Sequence, residues 1–153
     1  ADILEQAEPM TRKIFADGSK WTWDDYQWAL STYRKMAATL SGFFSDWDAW
    51  LTPTIAKHTP RIGSNLALSC AEQPLEQFWV DVFSLVPYTP LCNFTGIPAI
   101  SVPVARFSSG MPLGAHFMAA DLGERTLLQL AAQLEEALPW ADRYPAIHVT
   151  NAG

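Results

Sequence analysis

The chain has 153 residues, 49% hydrophobic and 17% charged, with a formal net charge of −6. That is enough apolar material for one domain with a sizeable core, and the scattered charges form no basic patch that would attract nucleic acid. No apolar run approaches the roughly 20 residues of a membrane span, and the polar N-terminus lacks the apolar core of a signal peptide.

In chain order, residues 2–16 predict a helix in which Pro9 either breaks the run or marks a first turn. Asp17-Gly18-Ser19 stops it. Thr22 and Asp25 have the spacing of a capping box, so a second helix should begin there. Tyr26, Leu30, Tyr33, Ala37, Leu40 and Phe44 then recur at helical spacing, an amphipathic helix of about five to six turns.

Residues 49–52 read as a short buried strand closed by Pro53, and residues 53–73 as a long surface loop. Pro74 suits the first position of a third helix running to about Val86. Leu75, Phe78, Trp79, Val82, Phe83, Leu85 and Val86 make that helix apolar enough to be well buried. Pro87 and Pro90 then bracket the run at 88–104, with a short helical turn at 91–95 and a strand at 99–104. Residues 106–112 form a hairpin-like connection to a partner strand at 113–119. Asp121 and Glu124 repeat the capping spacing before a helix over 123–138, striped by Leu127, Leu130, Leu134 and Leu138 and ended by Pro139. The tail beyond Pro145 should be loose. Three strands flanked by four helices make an α/β chain. Val102, Val104 and Phe117 suit the centre of a sheet whose edges must be covered.

No catalytic constellation appears. His58, His116 and His148 lie in the loop, a strand and the tail, without zinc spacing. Cys70 and Cys92 make neither a metal pair nor a disulfide framework, and read as reduced thiols of a cytoplasmic protein. The G-x-S-x-G, S-x-x-K and Gly-rich phosphate-loop patterns are missing. Asp24/Asp25 and Glu135/Glu136 are adjacent on helices and do not face each other. Ser108-Ser109-Gly110 is a hairpin loop with no base beside it. No metal and no cofactor are expected. Seven Trp, eight Phe and four Tyr supply a core, an interface or an apolar pocket.

Four blocks carry a family resemblance. Asp48-Ala49-Trp50-Leu51-Thr52-Pro53-Thr54 resembles the D-x-x-x-T-P-T segment of the amidase signature family. Residues 89–103 resemble its T-x-x-x-N-x-x-G-x-P-A-x-S-x-P passage. Residues 110–116 are similar to its G-x-P-x-G-x-Q segment, with His116 in place of Gln. Residues 124–135 resemble its closing helix. The order and spacing agree over about residues 48–138.

The resemblance implies the C-terminal portion of an α/β/α sandwich around a mixed sheet. Such enzymes hydrolyse carboxamides with a Ser nucleophile, a bridging Ser in a cis peptide and a Lys base. All three would lie upstream, so no catalytic residue is assigned to this chain. The loop before the N-x-x-G-x-P passage faces the acyl pocket in the family, which maps onto Thr89, Cys92 and Asn93. Trp79 and Phe83 would add apolar lining. The plain alternative is that Asn93 bonds backbone amides in a sharp turn and that Gly96 supplies a positive φ.

The implied partners are a small-molecule amide substrate, preferably with an apolar acyl or aryl group, and the N-terminal amidase segment. A homodimer is compatible with this reading. Residues 1–153 would form one part of a single domain: a helical segment at 1–46, strands with the long loop and buried helix at 47–120, and a closing helix and tail at 121–153. The competing reading is a non-catalytic binding or scaffold module that retains part of the fold.

Overall fold

The computed structural model describes residues 3–145 and 147–148, so the end of the tail lies outside the described residues. The elements run α1 (Ile3–Gln6), α2 (Pro9–Gly18), α3 (Trp23–Phe43), β1 (Trp50–Pro53), α4 (Leu75–Leu85), α5 (Thr89–Thr95), β2 (Ala99–Arg106), β3 (Pro112–Met118) and α6 (Glu124–Ala137). Six helices stand where four were expected. Pro9 splits the first and opens α2 from its first turn, where its missing N–H costs nothing. Residues 89–95 form a complete short helix.

The capping box of α3 is present. Asp25 N–H donates to Thr22 Oγ1 at 3.2 Å, and Thr22 N–H donates to Asp25 Oδ2 at 2.8 Å. The Thr22 hydroxyl, which donates to Asp25 Oδ2 at 2.6 Å, and then the Thr22 N–H hold the Asp25 carboxyl below its usual range. The second capping box is absent. The tight turn closed by Gly123 N–H to Ala120 O at 2.9 Å makes Gly123 the residue that caps α6. Asp121 therefore sits two positions too early to reach the first amides of the helix.

All three expected strands form, in the order β1-β3-β2. Every described pairing is antiparallel, so the mixed sheet expected of the whole sandwich is not contained in these strands. The hairpin between β2 and β3 closes through Phe107 N–H to Met111 O at 2.8 Å, with Gly110 at φ +85°. A bulge between Pro103 and Ala105 shifts the register.

Alternation along β3 divides the core into two layers. Val102, Ala115, Phe117 and Ala119 pack with Leu127 of α6. On the opposite face, Met118 packs with Leu40 of α3 and Ile97, backed by Phe44, Trp50, Leu91 and Cys92. Each fully buried apolar side chain is worth about 1.5–3 kcal/mol against its exposed state.

Two segments are less covered than expected. In β1 only Thr52 is buried, and Leu51 is 59% exposed. The reason is that β1 is an edge strand, while α6 packs against β2 on the far side of the sheet. Helix α4 starts after Pro74, which acts as its cap residue, and buries only Phe78. It packs on α2 along one stripe, leaving Trp79, Val80 and Phe83 exposed. An apolar circumference needs a partner on each side, and these three side chains remain open to solvent.

Three of the four sequence blocks meet at one point. Thr54 Oγ1 and Ser101 Oγ share a hydrogen bond at 2.6 Å, and Thr54 N–H donates to Gly114 O at 3.1 Å. A Cβ on residue 114 would overlap the Thr54 hydroxyl and come within 3.0 Å of Ser101 Oγ. Gly114→Ala should therefore destabilise the protein by about 1–3 kcal/mol in urea titrations. Adding Thr54→Ala should recover part of that loss, giving a measurable coupling in the double-mutant cycle.

Candidate functional site

Thr89, Cys92 and Asn93 are one helical turn apart on α5, so they share a side of that helix. Gly96 ends the helix with φ +79°, which supplies the left-handed residue needed before Ile97 and Pro98. Thr89 and Cys92 are half-buried, Cys92 against the layer around Met118. Burial pushes the Cys92 thiol up, so it stays neutral and weakly nucleophilic. Asn93 is exposed and makes no side-chain hydrogen bond among the described residues. Its amide is not used to brace the turn.

Trp79 and Phe83 lie four residues apart on α4, with ring centroids at 5.9 Å and an interplanar angle of 28°. Both are exposed. Helix α4 packs on α2, whereas α5 packs on α3 and stacks Phe94 on Tyr33 at 4.8 Å. The structure thus brings the five residues together as two groups. Neither group lines the cavities described below.

The polar face of the sheet was not visible in the sequence. Thr52, His116 and Ser101 stand side by side across β1, β3 and β2. Thr52 Oγ1 and His116 Nδ1 share a hydrogen bond at 3.0 Å, and both residues are buried. The available signal was the two-residue step of Thr52 to Thr54 and of Gly114 to His116, which puts each pair on one strand face. Only the register says that the two pairs are neighbours.

Burial pushes the His116 imidazole down, toward the neutral form. His58 lies against Phe107 at 4.8 Å, and His148 against Tyr144 at 4.4 Å. Among the described residues no group of three His, Cys, Asp or Glu could hold a metal ion.

One cavity of about 590 Å³ opens between α3 and the Gly96–Ile97 turn, lined by Ala37, Ser41, Phe44 and Asp121. Another, of about 470 Å³, lies between the 57–66 loop and the end of α4. In it Lys57 Nζ donates to Ser84 Oγ at 2.6 Å, while Ser84 Oγ donates to Asp81 O at 2.8 Å. The ammonium is a donor and the serine proton is already given to a carbonyl. The pair is therefore not a nucleophile with its base. In chemical terms these residues can line, orient and bind.

The sequence profile of the Amidase family matches residues 2–128. The chain belongs to the amidase family. It is 44% identical over 114 residues to AmiC of Mycobacterium leprae, covering 74% of this chain and 23% of that protein. It is 39% identical over 103 residues to the 6-aminohexanoate-cyclic-dimer hydrolase of Paenarthrobacter ureafaciens, covering 66% of this chain and 21% of the relative.

A solved structure of 6-aminohexanoate cyclic dimer hydrolase superposes with a TM-score of 0.78 at 32% identity, over 91% of this chain and 29% of that one. A glutamyl-tRNA(Gln) amidotransferase subunit from Thermotoga maritima superposes at 0.62 with 25% identity, over 89% of this chain and 28% of that one. This amidase chain thus spans between a fifth and a third of the length of these proteins, and corresponds to the C-terminal part of amidase enzymes. No described helix is long and apolar enough to cross a membrane.

The buried His116 makes stability depend on pH. Its folded pKa lies below the unfolded value of about 6.5, so the unfolded chain takes up the proton first as pH falls. This contribution is complete above about pH 6.5 and is lost on acidification below it. Urea midpoints at pH 7.5 and 5.5 should show the loss, and His116→Gln should reduce it.

Proposed function

We propose that this chain supplies a substrate-pocket wall and sheet core to an enzyme that hydrolyses a carboxamide C–N bond. The nucleophile and base, a Ser-Ser-Lys set, would lie outside it. The observation that carries the reading is a combination. The signature blocks close around β3 as one packed unit that matches a cyclic-amide hydrolase over 91% of the chain. Yet the serine nearest a cation, Ser84, gives its proton to a carbonyl rather than to a base. Amide hydrolysis needs a nucleophile, a proton acceptor and oxyanion donors. A chain with this inventory completes a site and does not make one.

The substrate is a small amide with an apolar acyl or aryl group, linear in form. A solved structure of 6-aminohexanoate cyclic dimer hydrolase complexed with substrate supports a small amide, with 32% identity and a TM-score of 0.78. Asn93 has an unspent amide and meets a polar atom of the substrate, while Thr89 and Cys92 shape the wall beside it. Trp79 and Phe83 present stacked apolar rings at the surface and line the acyl side. The rest of the amidase closes over α4 around these rings, and the stretches at 1–46, 47–120 and 121–153 belong to one domain. A homodimer is compatible with this reading. Two free thiols suit a cytoplasmic enzyme.

Kinetics on the full protein with aliphatic and aryl amides test this. Trp79→Ala and Phe83→Ala should raise KM about tenfold with little change in kcat, the pattern of lost uniform binding. Asn93→Ala should lower kcat/KM by about tenfold or more. The 153-residue chain by itself should show no turnover. Turnover by that chain alone, or unchanged KM in both aromatic variants, would sink the proposal.

A further inference from the structure

The cavity between the 57–66 loop and α4 is lined by more basic than acidic side chains, against the balance of the whole chain. The chain has ten basic and sixteen acidic residues. Two of its cations, Lys57 and Arg61, line this one cavity of about 470 Å³. Neither forms an ion pair among the described residues, where Lys20 with Asp17 is the pair present. The cavity's acid, Asp81, is already occupied. Gln73 Nε2 donates to its Oδ2 at 2.7 Å, and Gln77 Nε2 donates to its Oδ1 at 3.0 Å. Those amides are neutral, so Asp81 keeps its charge, and two cations against one acid still leave the lining with a surplus of positive charge for an outside anion.

Lys57 is held by its side chain, and the backbone on either side of the cavity is tied down. Ala56 N–H donates to Leu85 O at 2.8 Å, which ties the loop to the end of α4. Ser84 takes one of the three Lys57 N–H donors and leaves the others free. The turn after Arg61 closes through Ser64 N–H to Arg61 O at 3.1 Å, with Gly63 at φ +77°. A planar guanidinium and an ammonium suit the two oxygens of a carboxylate. Pro60 and Leu66 supply apolar wall beside the charges.

We infer that this cavity binds the carboxylate of a small amphipathic monocarboxylic acid, with Lys57 and Arg61 on the oxygens and the apolar tail against Pro60 and Leu66. None of Thr89, Cys92, Asn93, Trp79 and Phe83 lines this cavity, and its binding is measurable without turnover.

The test is titration of the full protein with hexanoate, hexanamide and inorganic phosphate, by calorimetry and by amide NMR shifts at residues 57–66. Hexanoate should bind with an affinity that falls as salt rises. Hexanamide, equal in shape and uncharged, should bind at least tenfold more weakly. Lys57→Gln with Arg61→Gln should lose at least tenfold in hexanoate affinity while keeping the parent melting temperature. Lys20→Gln, the same charge change at a remote site, should bind like the parent. Equal binding of acid and amide, unchanged affinity in the double variant, or a matching loss in Lys20→Gln would overturn the inference. Tighter binding of phosphate than of hexanoate would overturn the carboxylate assignment. Failure of amide hydrolysis in the full protein would count against the amidase proposal and leave this binding result standing.

Discussion

Gly114 must lack a side chain because two hydroxyls meet over it. Thr54 and Ser101 come from opposite sides of β3 and share a hydrogen bond across the space a Cβ would fill. That contact sets how closely the segments flanking β3 approach. It also explains the spacing of three sequence blocks that are otherwise separate. One block supplies each hydroxyl and one supplies the gap between them. A strand interior glycine weakens a sheet by itself, so its presence at the central strand marks a close approach that the rest of the fold needs.

From that strand the molecule divides by parity. Odd positions of β3 carry Ala115 and Phe117 into the layer under α6. Even positions carry Gly114, His116 and Met118 to the face shared with α3 and α5. The second face is polar at one end and apolar at the other. Met118 is fully buried, while Ser101 remains exposed beyond the His116–Thr52 pair. Helix α5 stands near the apolar end, where Cys92 joins the Met118 layer. A polar strip thus lies on the same face as a helix whose Asn93 amide is unspent among the described residues. Within that strip the Thr52 hydroxyl and His116 Nδ1 are spent on each other, and both are buried.

The long helices, the three strands and the hairpin were legible in the sequence, because each rests on short-range signals. The Thr22–Asp25 cap, the spacing from Tyr26 to Phe44 and the Gly110 turn act within one or two turns of chain. The Asp121 cap failed for an equally local reason: a tight turn at 120–123 moved the helix start. Helix α4 misled differently. Its apolar residues correctly reported a need for burial, and composition alone does not say whether the covering partner is within these residues. The five wall residues were placed by resemblance, and the fold distributes them over two helices with different neighbours.

By itself the sequence determined the family and the order of the strands and long helices. These follow from residue identity and from spacing along the chain. Only the tertiary structure decided that Thr54, Ser101 and Gly114 form one contact, that His116 is paired with Thr52, and that Lys57 and Arg61 share a cavity whose acid is already satisfied. These depend on strand register and on where a long loop lands. Both are set by contacts between residues tens of positions apart, and no local propensity encodes them.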